Sequence, residues 1–215
     1  MQGKIKKHIR RVLAFVVALA CVVGISAQHP IAMADEIFEG YRLKWHDNSE
    51  GYVRISWFDS SMTNSALKAA IPQAFSMWSA ATDYGVTGTH GSSGALGFNV
   101  SDASGWKVFV PNDPYHYVLA VTVPYDTNGT QIKATNVAST TKIIRSALIL
   151  FSPHYNFSSF TSTELKLLVG HELGHVMGFG HVSSGTSVMR TPLSNASSVS
   201  SYDKNCYVQK YGHPS

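Results

Sequence analysis

Cysteine is almost missing from this chain. Cys21 and Cys206 are the only two in 215 residues, and they lie near opposite ends. A disulfide-stapled scaffold is thereby excluded, and stability has to come from an apolar core or from bound metal. Basic charge is also scarcer than the totals suggest. The 17 Lys and Arg against 13 Asp and Glu give +4, but Lys4, Lys6, Lys7, Arg10 and Arg11 all precede residue 12 and no acid precedes Asp35. Without that opening segment the balance is −1. Nucleic-acid binding needs a basic footprint on the folded domain, so that class is excluded. No long hydrophobic run exists either. Val12 to Ile25, "VLAFVVALACVVGI", spans 14 residues, short of the ~20 that cross a bilayer. There is no internal repeat.

The short apolar run has a reading of its own. A basic start, an apolar stretch and "AMA" at Ala32–Ala34 form the pattern of a secretory signal peptide. We therefore expect residues 1–34 to be a leader and residues 35–215 one domain. Export follows, possession of a lasting membrane association does not, and the mature chain is expected to be a monomer. An uncleaved anchor is the competing reading, disfavoured by length. Lipidation at Cys21 fits poorly, because "ALAC" carries alanine where leucine is usual. The leader takes Cys21 with it, leaving Cys206 unpaired and best read as a small apolar filler.

Periodicity outlines the elements. "GYVRISWF" (Gly51–Phe58) alternates, with Val53, Ile55 and Trp57 on one side, as a strand does. In "SALKAAIPQAFSMWSAAT", Leu67, Ile71, Ala74, Phe75, Trp78 and Ala81 recur at helical spacing. Pro72 inside it predicts a kink or the true helix start. "GTHGSSGALG" (Gly88–Gly97) reads as a surface connection, as does "SNASSVSS" (Ser194–Ser201). Two strands are predicted around Asn128-Gly129, a tight-turn pair. Ala147–Phe151 suits a buried strand. Thr161 and Glu164 form a capping-box pattern ahead of a helix that Gly178 is placed to stop. A terminal helix is expected after Ser200 or Ser201, ending at Gly212.

The chemistry sits in "VGHELGHVMGFGH", Val169–His181. His171 and His175 are four apart, so a helix puts both on one face, one turn apart. Past the Gly178 break the chain can swing His181 to the open side. Three nitrogen ligands and a vacant position describe a catalytic zinc rather than a structural one, although other imidazole-binding metals would also fit. Zinc lowers the pKa of a bound water to about 7. Glu172, beside the first ligand, can take that water's proton and pass it to a leaving amine. Chance occurrence of H-E-x-x-H-x-x-G-x-x-H in such a chain is on the order of one in 10⁴–10⁵. Gly170, Gly174 and Gly180 flank the site where other backbone can approach closely.

This stretch resembles the metzincin zinc endopeptidases, and within them the matrixins. Met189 in "SVM", eight residues past His181, stands at the matrixin-like interval for the supporting methionine turn. "IPQAFSMWSAAT", "SALILFS" and "SYDKNCYVQKYG" resemble the group's first helix, the strand before the zinc helix, and the closing helix. The likeness runs from about Trp45 to Gly212. It implies an α+β, zincin-like fold: a twisted mixed sheet, an active-site helix and a small C-terminal lobe ending in a helix. It further implies one catalytic zinc on His171, His175 and His181, Glu172 as catalytic residue, and protein or peptide substrates. An extended substrate would pair with an edge strand near Val118–Val123. Departures are Val182 in place of serine, Pro192 three rather than two residues past Met189, and Thr191 where other metzincin branches place tyrosine. No second zinc, cysteine-switch prodomain or C-terminal binding domain is expected. Relatives often bind calcium, which Asp126 and Asn128 beside Gly129 could help hold; a plain hairpin turn is the simpler reading. His46, His90, His116, His154 and His213 read as ordinary histidines, and Trp45, Trp57, Trp78 and Trp106 as core anchors or substrate platforms. The competing function is an exported zinc-containing binding or adhesion module that cuts nothing.

Overall fold

The computed structural model describes residues 43–113, 117–133, 142–182, 185–190 and 198–214. The proposed leader, His116, Thr191 and Pro192 lie outside these residues. Strand β1 is Leu43–Trp45, β2 Asn48–Ser49, β3 Tyr52–Phe58, β4 Val86–His90, β5 Leu96–Val100, β6 Ala120–Tyr125, β7 Lys142–Ile144 and β8 Ser146–Phe151. Helix α1 is Ser65–Ala81, α2 Ala103–Phe109, α3 Ser162–Val176 and α4 Ser201–Tyr211. The main sheet runs β2-β3-β5-β8-β6, with β4 also on β3. The β3–β4, β3–β5 and β5–β8 pairs are parallel, while β2–β3 and β6–β8 are antiparallel. β1 and β7 form a separate two-stranded parallel sheet. The expected mixed α+β architecture is present.

Burial explains the sequence patterns. Val53, Ile55 and Trp57 are buried on β3, as alternation predicts. The continuous apolar run of β8 has a different cause: its two faces serve two clusters. Ala147, Ile149 and Phe151 enter the main core beneath α1 and α3. Leu150 joins Trp106, Val110, Val118, Val121 and Val123 on the opposite face. All four expected tryptophan anchors are buried.

Helix α1 starts at an Asn64 cap whose side chain accepts from Leu67 N at 3.0 Å. It continues through Pro72, so the proline does not mark the start. The proline lacks only the one N–H that would have bonded Lys68, and the buried stripe Leu67, Ala70, Ile71, Ala74, Phe75 and Trp78 holds the helix down. The surface connection expected over Gly88–Gly97 is also corrected. Its ends belong to β4 and β5. β4 is exposed beyond Val86, so solvent, not the lack of strand structure, accounts for its polar composition. Around Asn128-Gly129 only the first strand forms; the return is a single bridge, Tyr125 to Gln131, within the residues described. Gly129 has φ +73°, which a tight turn requires.

Both expected terminators and caps are realised. Thr161 and Glu164 make a reciprocal capping box on α3, and Ser200 and Asp203 make one on α4. Gly178 and Gly212 have φ +76° and +91°, the conformation that favours glycine where a helix ends. Among the described residues no helix is long and apolar enough to cross a membrane.

Candidate metal centre

Helix α3 packs on α1 through the main core, and the Trp78 indole N–H donates to Gly170 O at 2.7 Å. This anchors the helix at the turn that carries His171. His171 and His175 are buried side by side, their rings edge to face with centroids 4.7 Å apart. The chain turns at Gly178 and brings His181 back over them. The three Nε2 atoms then stand 3.0, 3.1 and 3.2 Å from one another.

The outer ring nitrogens fix the tautomers of the two helical histidines. His171 Nδ1 lies 2.8 Å from Val188 O, and His175 Nδ1 lies 2.8 Å from Phe179 O. A carbonyl only accepts, so each Nδ1 is the donor and each Nε2 keeps its lone pair. Burial, followed by the nearby His181, pushes the His171 pKa down to about 3. Burial and both neighbouring imidazoles lower His175, and burial lowers His181. Neutral imidazoles with converging lone pairs are what a cation needs. The donor set also has the right size. Four-coordinate zinc with bonds of 2.0–2.1 Å sets its nitrogens roughly 3.3 Å apart, close to the observed triangle. Among the described residues, these three histidines are the group of potential ligands that could hold a metal.

Met189 is buried against helix α3 at Gly174. A Cβ on Gly174 would collide with Met189 Sδ, which accounts for glycine inside the motif. Gly170 is similarly filled by the Met77 side chain. The methionine turn is itself supported by Asp203 of α4. Its carboxylate accepts from Val188 N at 3.0 Å and from the Ser187 hydroxyl. The chain of contacts therefore runs from α4 through Val188 to the His171 ring. Lys210 Nζ donates to Gly178 O at 2.5 Å and Leu43 O at 2.6 Å. The Tyr211 hydroxyl donates to Met177 O at 2.8 Å. Both hold the segment between the helix and His181. Val182, the departure from the usual serine, bonds through its backbone to Met189 O at 3.0 Å.

Glu172 is 1% exposed. Burial pushes its pKa up to about 7, against the opposing effect of a hydrogen bond from Thr122. That hydroxyl lies 2.7 Å from Glu172 Oε2. Sequence reasoning singled out neither Thr122 nor Asp203. Thr122 is 50 residues away in sequence and carries no local signal. Asp203 could have been found as the third residue after the Ser200 cap. At the β6 turn, Asp126 Oδ1 accepts from Asn128 N and Thr130 N at 2.8 and 3.0 Å, which is the plain-turn use of that carboxylate. His46 contacts Arg145, His90 contacts Asp59, and His154 and His213 are exposed.

The family model described as matrixin matches residues 44–212. A solved structure of myroilysin superposes with a TM-score of 0.51 at 14% identity, covering 88% of this chain and 93% of that one. A second structure of myroilysin gives a TM-score of 0.46 at 13% identity, over 87% and 96%. The first establishes a shared fold. No curated protein matches by sequence.

Proposed function

Because this chain belongs to the matrixin family, we propose that it is an exported zinc endopeptidase with His171, His175 and His181 as ligands and Glu172 as catalytic residue. The observation that carries this reading is the convergence of three neutral Nε2 atoms within 3.2 Å of one another, with a buried carboxylate on the same helix. When bound, zinc supplies Lewis-acid polarisation of a carbonyl and an acidified water.

The chain's own residues do the rest. Val188 O and Phe179 O hold the imidazoles in the ligating tautomer. Met189 fills the space that Gly174 leaves and so braces the helix between the two histidines that it carries. Glu172, with its pKa near neutrality, takes a proton from the attacking water and returns it to the departing amine. Among the described residues β6 ends the main sheet, so the outer backbone groups ahead of Pro124, whose carbonyl accepts from Ile132 N at 2.9 Å, can pair with an extended peptide. The pairing expected near Val118–Val123 thus uses a strand that starts at Ala120. A peptide complex without substrate density along residues 118–123 would reject that docking mode. Export rests on the leader pattern of residues 1–34 and is checked by the N-terminus of the secreted product.

Casein or a quenched peptide pool, tested with and without chelator, separates the enzyme from a non-cutting zinc module. Chelator-sensitive cleavage is expected. One equivalent of zinc with no cleavage of any peptide would favour the module. Glu172→Ala should keep its metal and lose at least ~10²-fold in turnover. His175→Ala should lose metal and turnover together; a normal zinc content in that variant contradicts the ligand assignment.

A further inference from the structure

Glu172 is buried in the sheet–helix interface. Among the described residues, its carboxylate has one hydrogen-bond partner, the Thr122 hydroxyl. Thr122 lies on β6 opposite Ile149 of β8. Its strand neighbours Val121 and Val123 turn into the apolar cluster with Trp106. Alternation therefore sends Thr122 to the opposite face, where β6 meets α3. Every apolar residue nearby on that strand could have been continued by valine, which has the same shape. A buried hydroxyl at this position calls for a reason beyond packing, because an unneeded polar group there is costly.

Two contacts supply that reason. Thr122 Oγ1 lies 2.7 Å from Glu172 Oε2 and 3.2 Å from Glu172 O. The hydroxyl thus reaches both the side chain and the backbone of one residue. β-branching restricts the threonine χ1, and the strand fixes its backbone, so the oxygen is a stationary point against which the glutamate is aimed. A hydroxyl also donates and accepts. It can stay bonded to the side chain whether or not that carboxyl carries a proton, with the backbone carbonyl as its alternative acceptor.

We propose that Thr122 is a positioning residue that fixes the orientation of the Glu172 carboxylate through its hydroxyl. This rests on the catalytic role assigned to Glu172 above. Its hydroxyl acts through Glu172 and not on substrate or metal directly.

The test compares Thr122→Val, Thr122→Ser and Glu172→Gln with the unmodified protein in kcat, KM, zinc content and melting temperature, and adds a crystal structure of metal-free Thr122→Val. Thr122→Val should bind one zinc and lose roughly 10- to 100-fold in kcat, the expected effect of losing one hydrogen bond to a charged group. KM should stay within about twofold. Thr122→Ser should recover most of the rate, and the Glu172 carboxylate should leave its position in the Thr122→Val structure. Full activity in Thr122→Val, loss of zinc along with activity, failure of serine to rescue, or an unmoved carboxylate would each overturn the proposal. Full activity in Glu172→Gln would instead overturn the catalytic assignment on which it rests, so the two failures are separable.

Discussion

At the scale of single residues, the site depends on groups that are small or deeply placed. Gly174 is the clearest case of the first. Its missing side chain is where Met189 Sδ sits, and the helix can approach the methionine turn only because of that gap. Gly174→Ala should therefore displace Met189 or tilt α3. We expect a loss of about 1–3 kcal/mol in stability from overpacking and a weaker hold on metal, readable by denaturant unfolding and zinc titration. An unchanged midpoint and affinity would show that the methionine yields freely. His171, His175, His181, Glu172 and Met189 were singled out by spacing and resemblance, and the convergence of the three histidines was legible there. Thr122 was not, because a buried hydroxyl in an apolar strand is indistinguishable in sequence from a β-former. Only the register that lays β6 beside α3 gives it a purpose.

At the scale of elements, α4 braces the metal centre from outside. Asp203 bonds Ser187 and Val188 of the methionine turn, and also the Ser200 backbone and hydroxyl that start its own helix. Val188 O in turn receives the His171 ring. Asp203→Ala leaves a buried backbone N–H unpaired and should cost about 2–3 kcal/mol. Zinc affinity should fall by roughly 10- to 100-fold, as is usual when the support of a ligand is removed. Competition with a chromogenic chelator measures it, and wild-type affinity would disconnect α4 from the site. Helix ends were legible because capping is local: Thr161, Glu164, Gly178, Ser200 and Gly212 each act within a few residues. β4 was missed because an exposed edge strand lacks the apolar alternation that marks a buried one. Pro72 misled because the tertiary burial of α1 outweighs one absent hydrogen bond.

At the scale of the whole molecule, the metal and the fold are linked. With no disulfide among the described residues to close the chain, and Cys206 free, two buried imidazoles and a half-buried third at one point make the site dependent on protonation. In the metal-stripped protein, His171, His175 and His181 have pKa values below the ordinary 6.5. The unfolded chain then binds more protons than the folded one below that value. Their contribution is fully present above about pH 6.5 and is lost as pH falls toward the folded values. Glu172, with its pKa raised to about 7, takes up a proton in the folded state over the same range and opposes this loss. The melting temperature of chelator-treated Glu172→Gln should therefore drop steadily between pH 7 and pH 5; a flat profile in that variant would mean that the three rings are not held neutral. The most direct test of the account is anomalous scattering at the zinc edge from crystals loaded with one equivalent of the metal. The account predicts a single strong peak bonded to the Nε2 atoms of His171, His175 and His181 at about 2.0–2.1 Å. No peak, or one bound elsewhere with the three rings apart, would contradict it.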